Sequence, residues 1–274
     1  MIIGINGKIG SGKDTVGKII QWITSEELRN VWLNDVHSFL EDKKHHYDNE
    51  QFSIWKIKKF AAKLKEIASL ITGIPVEYFE DQEFKKTYLG EEWDKKTFNP
   101  FGKKSDYIVE KMQVRSFLQK LGTEAMRDGL HTNVWVNALF ADYKVEIKEI
   151  TNKSYTKKED KWVHKWGGKE ILSDNQNFSF KKYNYPKWII TDMRFPNEIA
   201  AVELREGITI RVVRPETKDY FQLKNRDGSI THATLHPSET SLDSAEFDYE
   251  IINSGTIEDL VEKVREILIK EEII

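Results

Sequence analysis

Cysteine is absent from the 274 residues. That excludes disulfides, thiolate zinc sites and a cysteine nucleophile, and it fits a reducing compartment. An excess of charge of one sign is also missing: 42 Lys and Arg stand against 45 Asp and Glu, for a net charge of -3 and a pI near 6.2. No global basic field therefore draws the chain to nucleic acid or to anionic lipid. No apolar run reaches the ~18 residues of a membrane span, and Met1 leads into an apolar strand rather than a cleavable signal; the cytoplasm is the expected location. Internal repeats are lacking, and no Gly, Pro or Ser linker divides the chain. One domain over 1–274 is expected, with polar excursions at about 35–51 and 145–186. What is plentiful is core material, with 39% hydrophobic residues including 8 Trp and 14 Phe.

The most informative run is Ile2 to Thr15, a short apolar strand that breaks into a glycine-rich loop. Gly7, Gly10 and Gly12 let backbone N–H groups turn toward one point, Lys13 supplies a cation there, and a helix starting near Gly12 to Asp14 aims its positive end the same way. The spacing Gly7-x-x-x-x-Gly12-Lys13 fits a polyphosphate cradle. Asp14 stands where a Ser or Thr normally follows the lysine as a magnesium ligand, and Thr15 comes one place later. A carboxylate is an acceptable hard-oxygen ligand, directly or through water. The bland alternative is an ordinary glycine-rich strand-to-helix turn.

Five segments read as buried strands: Ile2 to Asn6, Trp55 to Phe60, Trp188 to Asp192, Ile208 to Val213 and Tyr249 to Ile252. Their near-continuous apolar character, with helical patterns between several of them, predicts an α/β fold with a parallel sheet flanked by helices. A C-terminal helix is expected with Ile257, Leu260, Val261, Val264 and Leu268 on one face and a capping box of Thr256 and Asp259. A second helix, Ala61 to Thr72, turns Leu64, Ile67, Ala68 and Ile71 inward and stops at Gly73 before Pro75. Val145 to Pro186 alternates polar residues with isolated aromatics and reads as hairpins. His37, His45 and His46 lie in the other polar excursion without metal-ligand spacing, so solvated side chains are the simpler reading.

Two further clusters carry candidate chemistry. Asp192 ends a central strand, where open α/β sheets place their ligands. It could hold Mg²⁺ through water while Arg194 meets a phosphate; alternatively Asp192 caps a helix and Arg194 with Glu198 forms a surface ion pair. Arg115 and Gln119 stand at helical spacing, and Arg127 follows a Gly122-Thr123 break, so two guanidinium groups could converge on phosphoryl oxygens. Either arginine alone reads as a solvated helix residue.

Together the motifs have a resemblance. G-x-x-x-S-G-K-D-T at Gly7 to Thr15, Leu70-x-T-G, Phe79-E-D with Lys85 or Lys86, and R-x-x-x-Q-x-L-G-T-E at Arg115 to Glu124 run in order. Trp135-Val, D-M-R-F-P-N-E at Asp192 to Glu198, Val213-Arg214-Pro215, H-P-S-E at His236 to Glu239, and Asn253 follow them. The set resembles the deoxynucleoside monophosphate kinases of bacteriophages, within the P-loop nucleoside monophosphate kinase class. The excursions have no counterpart in it.

The resemblance implies a P-loop NTPase fold with a helical acceptor-binding region and transfer of the ATP γ-phosphate to a deoxynucleoside monophosphate. It implies ATP and Mg²⁺ as cofactors, and the host-cell cytoplasm for a phage-encoded chain. Phosphoryl transfer needs placement and positive charge rather than a nucleophilic side chain. The nucleotide loop is then Gly7, Gly10, Ser11, Gly12, Lys13, Asp14 and Thr15, with Asp14 and Asp192 near the metal. Lys13, Arg115, Arg127, Asp192 and Arg194 would act on the transferring group. The acceptor would meet Lys63, Lys85, Trp135, Glu198, His236 and Glu239, with Phe60, Tyr78 and Phe79 as further candidates for the base, although core packing is the commoner role for such aromatics. No membrane partner is expected, and the number of subunits is left open, a homodimer included.

Two other functions use the same cradle. Another P-loop small-molecule kinase, such as a dephospho-coenzyme A kinase-like protein, shares the loop and strand-end acid but gives no reason for the Arg115 to Arg127 set. A P-loop ATPase switch acting on a partner or on DNA would hydrolyse ATP without an acceptor. The aromatic and lysine-rich excursion also suggests a single-strand surface, against which stand its acids Glu146, Glu149, Glu159, Asp160 and Glu170.

Overall fold

The computed structural model describes residues 1–26, 35–41, 53–99, 107–153, 157–158, 160–166, 169–173, 177–215, 221–224, 230–233 and 240–274. These fall into two compact units, 1–142 with 187–274, and 143–186.

The larger unit is built on five strands: β1 (Ile2–Asn6), β2 (Trp55–Lys58), β3 (Lys187–Met193), β4 (Ile208–Val213) and β5 (Tyr249–Ile252). They pair in the order β2-β3-β1-β4-β5, and every pairing is parallel. This is the expected α/β sheet, with strand β1 at its centre. Its helices are α1 (Lys13–Thr24), α2 (Val36–Glu41), α3 (Ala62–Thr72), α4 (Val114–Gln119), α5 (Val134–Phe140), α6 (Pro196–Glu203) and α7 (Ile257–Lys270).

Strand alternation distributes them to both faces. Ile3 and Ile5 join a core with Val16, Ile19 and Ile20 of α1 and Leu260, Val264 and Leu268 of α7. Gly4 faces the other way, where an added Cβ would meet Met193 and Val202 of α6. Helix α7 has the predicted capping box, with the Thr256 hydroxyl accepting from the Asp259 N–H and the Asp259 carboxylate accepting from the Thr256 N–H. Its stripe buries Leu260, Val261, Val264, Ile267 and Leu268, each contributing about 1.5–3 kcal/mol of apolar transfer when fully covered.

Some elements depart from the sequence expectation. β2 stops at Lys58 rather than Phe60, because the N–H groups of Phe60 and Ala61 leave the ladder for the Asp192 carboxylate. In α3, Ile71 is exposed while Lys65 is buried, so the inward face is turned from the one predicted. The start of the 35–51 excursion is helix α2, whose Val36 and Phe39 enter the main core; its remainder, with His45 and His46, lies outside the described residues.

The smaller unit is a pair of antiparallel arrangements. Glu146–Lys153 pairs with Asn177–Asn184, and Lys157–Lys158, Lys161–Trp166 and Lys169–Ser173 form a three-stranded meander. Hairpins were expected there. Among the described residues, no helix is long and apolar enough to cross a membrane.

Candidate nucleotide site

The loop after β1 is shaped by its glycines. Gly10 and Gly12 adopt φ of +81° and +97°, the left-handed region that glycine occupies without strain. Gly7 has no room for a side chain, since a Cβ there would lie 2.3 Å from the Ser11 hydroxyl and 2.7 Å from the Val212 carbonyl. The loop passes into α1 at Lys13, so the helix N-terminus and the loop amides face a common space. The Ser11 hydroxyl is buried and has no hydrogen-bond partner among the described residues.

A cleft of about 480 Å³ opens beside this loop. Gly10, Lys13 and Asp14 line it on the loop side, and Lys85, Arg115, Arg127, Trp135, Asp192, Arg194 and Glu198 line it elsewhere, together with Phe60. Residues that lie 184 positions apart in the sequence numbering, from Asp14 to Glu198, thus share one cavity. Gly7, Ser11, Gly12 and Thr15 belong to the loop and first helical turn without lining the cleft. Lys63 is also not among the lining residues and pairs with Glu66 at 3.1 Å. His236 and Glu239 lie outside the described residues. Phe79 is fully buried in a separate cluster with Ala68, Val114 and Phe117, and Tyr78 packs edge-on against Phe84.

Several cleft residues were missed by the sequence reading: Lys59, Lys65, Glu80 and Gln82. Lys65 Nζ bonds Glu80 Oε1 at 2.5 Å, and Lys59 Nζ lies 3.5 Å from Asp14 and 4.0 Å from Glu80. Burial opposes the Lys59 charge, but Asp14, Glu80 and Asp192 outweigh it and raise the ammonium above its ordinary pKa. Burial also works against the Glu80 carboxylate, and Lys65, Lys59 and Lys85 outweigh that and hold it below the ordinary range. Lys85 has the opposite balance: burial, then repulsion from Lys65, Arg115 and Lys59, brings it down to about 8 despite Glu80. Of these cations it is Lys85 whose charge is opposed by its surroundings. The helical signal for Lys65 was present, since it lies three residues before the buried Ala68 on the same face.

The strand-end acids are engaged with backbone. Asp192 accepts from the N–H groups of Phe60 and Ala61 at 2.8 and 2.9 Å, so it caps the entry to α3. Glu198 is not at the surface; it is 2% exposed and its Oε1 takes the Arg127 guanidinium at 2.7 Å. Its Oε2 accepts from the N–H groups of Arg194 and Phe195. Burial pushes the Glu198 carboxyl up to about 7, against the pull of the Arg194 N–H and of Arg127. Arg127 also donates to Asn197 and to the Thr132 carbonyl and lies 3.6 Å from the Phe195 ring centroid. The expected break at Gly122-Thr123 is absent. Helix α4 continues instead as a π-helix, Lys120–Asp128, and the Trp135 indole N–H donates to the Gly122 carbonyl at 2.8 Å.

Asp14 is the carboxylate best suited to a cation. Its Oδ1 takes the Thr191 hydroxyl and the Lys59 ammonium. Its position in the cleft opposes the charge, but Lys59, Lys13 and Thr191 outweigh this and keep its pKa low. Among the described residues, no group of three or more metal-ligating side chains forms a cage. That donor set fits Mg²⁺, which usually takes one or two carboxylates and completes its shell with water and substrate phosphate.

Over most of its length the chain is similar to the deoxynucleoside-5'-monophosphate kinase of Escherichia phage T5, at 24% identity over 275 residues that cover 92% of this chain and 89% of that protein. No protein-family model matches.

Proposed function

We propose that this protein is an ATP-dependent kinase that transfers the γ-phosphate to a deoxynucleoside monophosphate, releasing ADP and the deoxynucleoside diphosphate. The observation that carries the reading is the single cleft in which the glycine loop and Lys13 meet Lys59, Lys65, Lys85 and Arg115. An anion donor site and a cationic acceptor site opening on one cavity suit transfer between two phosphate-bearing molecules better than hydrolysis of one. Similarity to a named deoxynucleoside monophosphate kinase over most of both chains supports the acceptor class.

In this reading the amides of Gly10 to Lys13 and the Lys13 ammonium hold the ATP phosphates, and Thr15 reaches the α- or β-phosphate. Lys85, Arg115 and Arg194 neutralise the acceptor and transferring groups. Mg²⁺ would be held by Asp14, directly or through water, and by Asp192 through water; when bound, it supplies charge neutralisation between the phosphates. Arg127 and Glu198 act one step back, by fixing the backbone of Arg194 and Phe195. Loss of Lys13 removes a transition-state clamp, worth about 3 kcal/mol or more by analogy with single-donor deletions.

The test is ADP release with ATP and Mg²⁺ across the deoxy and ribo monophosphates. ADP should appear only with a monophosphate acceptor, and Lys13→Ala should cut turnover by orders of magnitude with the fold intact. ADP release that proceeds at full rate without any acceptor would replace the kinase with an ATPase switch.

A further inference from the structure

The end of β5 is fixed on both sides. Asn253 extends its pairing by one residue, its N–H donating to the Val213 carbonyl at 2.7 Å. Lys263 of α7 donates to the preceding carbonyl, that of Ile252, at 2.7 Å. From this anchored position the Asn253 side chain reaches the phosphate loop, 242 residues away in the sequence, where Nδ2 donates to the Ser11 carbonyl at 2.8 Å. The approach is close: a Cβ built on Gly12 would lie 2.4 Å from that Nδ2.

A trans peptide is planar and carries its C=O and N–H on opposite edges. Holding the Ser11 carbonyl against Asn253 therefore turns the Gly12 N–H to the opposite side of the loop. Among the described residues, no other hydrogen bond fixes that peptide. Gly12 accepts φ of either sign at little cost, and the Ser11 hydroxyl has no hydrogen-bond partner among the described residues. Among the described residues, Ser11 is otherwise tied through its N–H to the Lys8 carbonyl at 3.1 Å, on the far edge of the preceding peptide. Without the Asn253 amide, the Ser11–Gly12 peptide is able to turn over and withdraw a donor from the cradle.

We propose that Asn253 is a positioning residue for the phosphate loop: its side-chain amide pins the Ser11 carbonyl and thereby presents the Gly12 N–H to the phosphate tail of the nucleotide. This inference rests on the reading of the loop as a nucleotide site. It adds a residue from the opposite end of the chain, which touches the loop and not the phosphates.

The test compares the full-length protein with Asn253→Asp, which keeps the shape but replaces the donor by an acceptor that repels the carbonyl, and with Asn253→Ala, which deletes it. ATP affinity is measured by calorimetry, adenosine binding by ligand-observed NMR, and the Gly12 amide by its ¹⁵N–¹H resonance. In Asn253→Asp, ATP affinity should fall about tenfold or more, the scale of one donor lost to a charged ligand. Adenosine binding should be unchanged, and the ATP-induced shift of the Gly12 amide should disappear. Asn253→Ala should show a smaller loss in the same direction.

Wild-type ATP affinity in either folded variant overturns the proposal. So does an equal loss for ATP and adenosine, which would make Asn253 a contact to the base or a general support. If both variants unfold, Asn253 is a determinant of the fold and the positioning role is refuted. Failure of the wild-type protein to bind ATP is a different result, and it removes the nucleotide site itself.

Discussion

Glu198→Gln separates burial from ion pairing at the centre of the cleft wall. The wild-type carboxyl is 2% exposed, and burial lifts it from an ordinary value of 4.5 to about 7 even with Arg127 at 2.7 Å. A carboxyl raised in the folded state binds its proton more tightly there than in the unfolded chain. Its contribution to stability is therefore most favourable below pH 4.5 and declines as pH rises through the folded-state value near 7. Integrating between pH 5 and 8 gives a loss of roughly 2 to 3 kcal/mol from this one group.

Glutamine mimics the protonated acid and does not titrate, so the variant lacks that component. Urea unfolding of both proteins at pH 5 and pH 8 isolates it, because the other titrating groups cancel in the difference. Relative to wild type, Glu198→Gln should gain roughly 2 to 3 kcal/mol on going from pH 5 to pH 8, whatever its absolute stability at either. A difference that stays constant within about 0.5 kcal/mol would mean that Arg127 and the two backbone donors keep Glu198 ionised throughout, and that the ion pair outweighs burial.

Further outcomes follow from the same geometry. Lys65→Met should raise the KM for the monophosphate acceptor several-fold while Lys63→Met stays near wild type, because only Lys65 lines the cleft; steady-state kinetics on the two variants decide it. With Lys85 near 8, its charge is present below that pH and lost above it, so acceptor KM should climb between pH 8 and about 9.5. Lys85→Arg, charged throughout this range, should flatten that climb, and an unchanged profile would take Lys85 out of the acceptor site. The hydrogen bond from His37 to Glu258 raises the imidazole above its ordinary 6.5. The stabilisation it gives is complete below that value and fades as pH rises through the folded-state pKa. His37→Ala should therefore lower the melting temperature more at pH 5.5 than at pH 8.5, and do less in high salt.

What was legible in the sequence was whatever one segment decides alone. The apolar runs of β1, β4 and β5, the glycines of the loop, and the Thr256-Asp259 cap of α7 each depend on neighbours within a few residues. What was hidden depends on a partner far away. The end of β2 is set by Asp192, 132 residues from Phe60. Glu80 takes the Lys65 ammonium, so a lysine enters the buried face beside Ala68, while Ile71, which apolar periodicity turns inward, is left exposed. The pairing of Arg127 with Glu198 spans 71 residues. Part of the D-M-R-F-P-N-E motif also has local work: Pro196 stands at the first position of α6, and Glu198 reaches back to the N–H of Phe195, the two standard devices for starting a helix.

The π-helix gives the arginines their common direction. Along a regular α-helix, at ~100° per residue, Arg115 and Arg127 would be about 120° apart around the axis. The structure replaces the second part of that path with Lys120–Asp128 in π form, where N–H groups bond five residues back, as Gly129 does to Glu124. At roughly 4.4 residues per turn, the wider spiral advances only about 82° per residue. Summed from Arg115, the offset shrinks to within about 30°, and both arginines line the same cleft. A helix break at Gly122-Thr123 was expected to aim Arg127, and a change of helical pitch does so instead. Gly122 still matters, because Leu64 of α3 packs where its Cβ would be, at 2.9 Å. The glycine admits close contact between helices, and the pitch sets the direction, so the two guanidinium groups share a wall with different partners: Arg127 is spent on Glu198, and Arg115 lines the cleft beside Lys85.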